Sequence, residues 1–241
     1  MAFLHDGAAR QPFLRVPPVV IWLIVSLVAA YVYGHEVLSG NRWEEFAVVY
    51  GFVPARYSAK FLAATGYDPG SWLERALPFV SYIFLHANIT HLLINSIWLL
   101  AFGPVVARRF GTLLFLVFFL FCGVAGAATH LICNWGSAAP VIGASGAISG
   151  LMAASFRMLP VAAEGGAYPL APILTPRIVV WSGLWIAVNA VTGLTGYGNG
   201  PEIGLVAWQA HLGGFAAGLL FAGLFDAIAP GHALSRSGRA A

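Results

Sequence analysis

Long apolar runs alternate with short polar breaks along almost the whole chain. Six runs are long enough, or nearly so, to cross a hydrocarbon core about 30 Å thick, which takes roughly 17–25 helical residues. They are about Val16–Tyr33, Tyr82–Ala107, Thr112–Ile132, Ser145–Leu159, Ile178–Leu194 and Leu205–Ala227. The fourth is short, so its start is expected to be buried in protein rather than in lipid. Between the first two runs, from His35 to about Ser81, the pattern changes. Trp43, Phe46, Val48, Val49, Tyr50 and Phe52 interleave with Glu44 and Glu45, and Trp72 follows. Aromatic residues mixed with polar ones suit the membrane–water interface, so this stretch is expected to be a structured interfacial loop. The predicted fold class is all-α: a polytopic membrane protein whose six-helix bundle covers 16–228, with tails at 1–15 and 229–241.

Composition agrees with the pattern. The chain is 59% hydrophobic and only 9% charged, whereas soluble domains carry roughly 45–50% apolar and about 25% charged residues. A net charge of +3 and a pI near 9.1 could suit nucleic acid. The basic residues form no patch, however, and no nucleic-acid partner is expected. They read as topology signals instead. With the N-terminus inside, the inner segments hold Arg10, Arg15, Arg108, Arg109, Arg157, Arg177, Arg236 and Arg239, and the outer ones hold Arg42, Arg56, Lys60 and Arg75. The excess of inner positive charge puts both tails in the cytoplasm. A cleaved signal peptide at the first run would leave five spans and is disfavoured. Cys122 and Cys133 fall in one predicted helix about 16 Å apart, too far for a disulfide.

This topology sorts the polar residues by depth. Ser145 stands in Val141-Ile-Gly-Ala-Ser-Gly-Ala-Ile-Ser-Gly150, at the outer start of the fourth run. His211 stands in Ala210-His-Leu-Gly-Gly214, roughly 9 Å into the sixth. His86, His91 and Asn95 occupy the outer half of the second. All therefore lie on one side of the membrane, and polar groups at such depth are functional candidates.

A free serine hydroxyl is a weak nucleophile and needs a base, which His211 can supply. No carboxylate is placed to orient that histidine. Asp226 lies fifteen residues further on, about 22 Å along the helix, and Glu202 precedes the span. The economical arrangement is a Ser–His dyad. Gly143 allows close approach of a substrate backbone, and the helix N-terminus at Ser145 offers a free N–H to an oxyanion. His91 and Asn95, spaced i, i+4, share a face and could donate to the same oxygen, with His86 nearby. Gly146 and Gly150 on the fourth run, and Gly214 and Gly218 on the sixth, form small-residue stripes for close helix packing. The histidine spacing and the lack of an acidic cluster give no zinc motif, so neither metal nor cofactor is expected.

Taken together, Gly143-Ala-Ser-Gly146, Ala210-His-Leu-Gly-Gly-Phe-Ala-Ala-Gly218 and His86 with His91-x-x-x-Asn95 resemble the rhomboid intramembrane serine proteases. The likeness covers about Phe46 to Phe225, and Gly51-Phe-Val-Pro-Ala55 is similar to that family's first loop. The resemblance implies a six-helix core in a bacterial inner membrane, with the active site towards the outer leaflet. It implies Ser145 as nucleophile, His211 as base, and His91, Asn95 and the Ser145 amide as the oxyanion hole. It also implies that the substrates are single-span or other transmembrane proteins. They would enter from membrane lipid past the fifth span and its loop Thr195-Gly-Tyr-Gly-Asn-Gly200.

Two positions depart from the family pattern. Trp72 and Arg75 are not an adjacent Trp-Arg pair, and Ser149 stands where many members carry a tyrosine against the histidine. The sequence names nothing else to orient His211. Two other classes fit the composition: a non-catalytic membrane-protein binder on the same scaffold, and a small transporter or channel. The first usually lacks the serine or the histidine. The second needs polar groups that continue inward, and here they stop at the outer end.

Overall fold

The computed structural model describes residues 16–38, 42–158, 169–195 and 207–229. Both tails expected at the ends, the glycine-rich loop after Thr195, Glu202, and Arg10, Arg15, Arg236 and Arg239 lie outside them.

The chain is all-helical, and Phe52 and Val141 form an isolated antiparallel bridge. Helix α1 (Pro18–Val32) starts with proline at its first position and runs into a π-helical turn at Tyr33–Val37. Four short helices fill the first loop: α2 (Arg42–Tyr50), α3 (Ala59–Thr65), α4 (Trp72–Ala76) and α5 (Pro78–Ser81). Then come α6 (Ile89–Phe110), α7 (Thr112–Cys133), α8 (Ser145–Met158), α9 (Pro176–Thr195) and α10 (Trp208–Ile228).

Among the described residues five helices are long and apolar enough to cross a membrane: α1 with its π turn, α6, α7, α9 and α10. Large apolar side chains on their outer faces are bare, among them Trp22, Leu113, Val180 and Leu194. Water would not tolerate so much exposed hydrocarbon, but acyl chains cover it. The chain is an integral membrane protein. Helix α8 has only 14 residues. Nearly all of them are buried against α6, α7 and α10, so protein rather than lipid satisfies its surroundings.

The second span starts later than its hydropathy suggests. Tyr82–Ala107 reads as one apolar run, but Tyr82–Phe84 form a 3-10 turn and Leu85 is extended. The Asn88 side chain accepts from the His91 N–H at 2.9 Å and caps α6. A capping asparagine outweighs a continuous apolar pattern, because it satisfies a donor that the helix start leaves open.

The first loop is structured, as its aromatic pattern suggests. Ser58 caps α3, and Ser71 with Glu74 forms a capping box on α4. The Ser71 hydrogen bonds hold the Glu74 carboxyl below the usual carboxylate range. Phe52 packs with Tyr57, Phe79 and Tyr82. This cluster reaches the segment before Ser145 through backbone bonds. Phe52 and Val141 exchange both N–H···O bonds, at 2.9 and 2.8 Å, and Ala55 N–H donates to the Ser137 carbonyl at 2.9 Å. The loop therefore sets where the entry to α8 lies.

Candidate active site

The residues preceding α8 hold an unusual path. Gly143 has φ +118°, a region that side chains rarely adopt, and its N–H donates to the Tyr82 carbonyl at 2.9 Å. A Cβ at Gly143 would lie 2.7 Å from His91 Nε2 and 3.7 Å from Asn95 Nδ2. Glycine is thus required twice, for its backbone angle and for the imidazole beside it. Ser145 follows as the first residue of α8, so its N–H is not used by the helical ladder.

Helix α10 comes close enough to complete the group. A methyl group at Gly214 would run into the Gly146 carbonyl, and one at Gly218 into the Gly150 carbonyl. The two predicted stripes do face each other. Their contact brings His211, one turn above Gly214, to Ser145, and Ser145 Oγ–H donates to His211 Nε2 at 2.7 Å. Both side chains are half-buried.

The other imidazole nitrogen has a partner that the sequence reading missed. His211 Nδ1–H donates to Asn189 Oδ1 of α9 at 2.8 Å. Asn189 Nδ2 in turn donates to the Trp185 carbonyl at 2.9 Å. A lone asparagine inside an apolar span was the available signal. Ser149, in the position where a ring would stack, donates its hydroxyl to the Ser145 carbonyl at 2.7 Å. Asp226, the carboxylate on the same helix as His211, pairs with Arg109.

His91 and Asn95 stand on the first turns of α6 and line the same cavity as Ser145 and His211. Asn95 Nδ2 is buried with no hydrogen-bond partner among the described residues, a costly state unless an acceptor arrives. His86 is placed differently. It precedes the Asn88 cap and is buried behind His91 with ring centroids 5.0 Å apart. Its Nδ1–H donates to the Phe84 carbonyl at 3.3 Å, and it does not line the cavity.

The cavity measures about 1060 Å³, at the upper end of the range for small-molecule sites. It runs between α6 and α9, which scarcely touch each other. Its deep walls are aromatic, from Trp98 and Phe102 on α6 and Trp181 and Trp185 on α9. Its rim is polar, from Asn134, Ser137 and Gln209. At the opposite end of the bundle lie further arginines. Arg109 forks onto Asp226 at 2.5 and 2.9 Å, Arg157 donates to the Leu219 carbonyl at 2.7 Å, and Arg177 to the Phe156 carbonyl at 3.4 Å.

A family model described as Rhomboid domain matches residues 73–226, which includes Ser145, His211, His91, Asn95 and Asn189. The chain is similar to Rhomboid protease GluP of Bacillus subtilis, with 28% identity over 205 residues, 85% of this chain and 34% of that one. It is 30% identical over 154 residues to the Putative rhomboid protease YdcA of the same organism, covering 58% of this chain and 62% of the relative. It is 28% identical over 154 residues to Rhomboid protein 1, mitochondrial, of Saccharomyces cerevisiae, covering 62% of this chain and 42% of the relative. The matches thus span between about a third and three fifths of these relatives' lengths.

Proposed function

The chain belongs to the rhomboid family, and on that premise we propose that it is an intramembrane serine endopeptidase. Its substrates would be membrane proteins, cut in or near a transmembrane segment. The observation that carries this reading is the 2.7 Å hydrogen bond from Ser145 Oγ to His211 Nε2 inside the cavity.

His211 Nε2 takes the Ser145 proton as Oγ attacks the scissile carbonyl and gives it to the leaving amine as the C–N bond breaks. Water, deprotonated by the same nitrogen, then attacks the Ser145 ester, and Oγ leaves with that proton. Charge develops on the carbonyl oxygen, which the Ser145 N–H and the side chains of His91 and Asn95 stabilise. The unpartnered Asn95 Nδ2 suits this role, since its donor is paired only while that oxygen is present. The shape of the cavity supports the substrate class. A helix leaving lipid would pass the aromatic walls between α6 and α9, and its unwound end would meet the polar rim.

Orientation follows from charge. Arg108, Arg109, Arg157 and Arg177 lie at the end of the bundle away from Ser145. With the arginines of the two tails they outnumber the four basic residues of the first loop, which supports a cytoplasmic position for that end and an outer-leaflet position for the site. A bacterial inner membrane fits this arrangement.

The test is cleavage of a single-span reporter in liposomes by the wild type, Ser145→Ala and His211→Ala. Cleavage by the wild type alone is expected, and equal cleavage by all three overturns the reading. A non-catalytic binder on the same scaffold would leave Ser145 unlabelled by a fluorophosphonate.

A further inference from the structure

The histidine of a serine hydrolase must keep its hydrogen on the nitrogen that faces away from the serine. Otherwise the other nitrogen has no lone pair for the Ser proton. Among the described residues neither a carboxylate nor a stacked ring is placed to do this: Asp226 is held by Arg109 and Ser149 bonds to its own helix. Asn189 is so placed. Its amide orientation is fixed by its own bond, because the NH₂ group donates to the Trp185 carbonyl and leaves Oδ1 towards His211. A carbonyl oxygen can only accept, so Nδ1 carries the hydrogen and Nε2 is the base.

We propose that Asn189 is the positioning residue for His211, and that it makes the seating of α9 part of the catalytic arrangement. This rests on the protease reading above. Helix α9 is the loosest of the long helices, with only Ile178 and Ser182 buried. Near the dyad it meets α10 through two linked contacts, Asn189 on His211 and Trp185 stacked on Phe215 at 4.4 Å, and at its end Gly193 lies against the Trp208 side chain. Phe215 stands one turn below His211 and Trp185 one turn from Asn189, so both contacts lie on one face of each helix. A displacement of α9 that widens the cavity removes the His211 partner. The base is aligned only when α9 is seated.

The test compares the wild type with Asn189→Leu, which has similar bulk but no acceptor, and with Asn189→Asp, which keeps one. Steady-state cleavage of the reporter in liposomes is the first readout. Asn189→Leu should lose at least tenfold in kcat with KM within about twofold, and Asn189→Asp should recover most of it. The second readout is ¹⁵N NMR of histidine-labelled protein, with the His211 signal assigned by its loss in His211→Gln. It should show the Nδ1–H form in the wild type and in Asn189→Asp, and a mixture in Asn189→Leu. A purely structural role for Asn189 would leave the tautomer unchanged. The proposal is overturned if Asn189→Leu retains wild-type kcat, or if His211 keeps its tautomer in that variant. If Asn189→Leu does not fold, Asn189→Asp decides: a loss beyond a hundredfold in kcat overturns it. A wild type that neither cleaves the reporter nor reacts with a fluorophosphonate instead removes the protease reading itself.

Discussion

Gly218 of α10 lies against the backbone of Gly150 of α8, with no room between them for a methyl group. One turn higher Gly214 meets Gly146 in the same way. The two pairs set the distance between the helices that carry His211 and Ser145. Larger residues here must push the helices apart, and overpacking of this kind costs about 1–3 kcal/mol. Gly218→Val should therefore lower the thermal midpoint in detergent and reduce cleavage together. Gly183→Ala on α9 is the control, since nothing lies within 4 Å of its position. There better helix propensity should give a neutral or slightly stabilising change. If both variants behave alike, close packing of α8 and α10 is not what places the dyad.

Gly143 tests the approach to the nucleophile. Gly143→Ala meets both an unfavourable φ of +118° and the His91 ring. Gly66→Ala meets an unfavourable φ of +64° with open space around it. The second substitution should cost only the local strain, about 1 kcal/mol. The first should also displace His91 and lower kcat by more than tenfold. Equal kcat in the two variants would remove His91 from the neighbourhood of the reaction.

Asn95 and His86 separate a donor in the cavity from a residue behind it. Asn95→Ala removes an unpartnered buried N–H pair beside Gly143. Loss of one oxyanion donor costs about 10²–10³ in kcat, and KM should hardly move. His86→Phe keeps a ring against His91 and should cost far less. A larger loss in His86→Phe than in Asn95→Ala would reverse the roles given to them here.

The contrast between His86 and Asn95 also marks how far the sequence could be read. Ser145, His211, His91 and Asn95 were legible because their neighbours are informative: glycines around the serine and histidine, and an i, i+4 spacing on one helix. The six runs were legible because an apolar pattern of that length has few alternatives. Hydropathy does not register a helix start and so puts His86 in one run with His91, whereas the Asn88 cap leaves His86 ahead of α6. Asn189 depends on which way α9 is turned against a helix 22 residues further on. The α9 sequence, apolar on nearly every side, carries no periodicity that would fix this.

Asp226 shows why a carboxylate on the histidine's own helix plays no part in the site. It lies about 22 Å from His211 along α10 and takes a two-pronged bond from Arg109 of α6, with side-chain exposures of 8% and 21%. The pair ties α6 to α10 at the end of the bundle away from the cavity. Removing one member leaves a charge with fewer partners in a poorly hydrated place, which costs about 3 kcal/mol, the low end for a buried pair because Arg109 stays partly open. Asp226→Leu should thus lower the unfolding midpoint in mixed micelles more than the double variant Arg109→Leu/Asp226→Leu. Both should keep wild-type kcat once folded, since neither residue touches His211. A loss of kcat in folded Asp226→Leu, without a change in KM, would show that Asp226 acts on His211 through the length of α10.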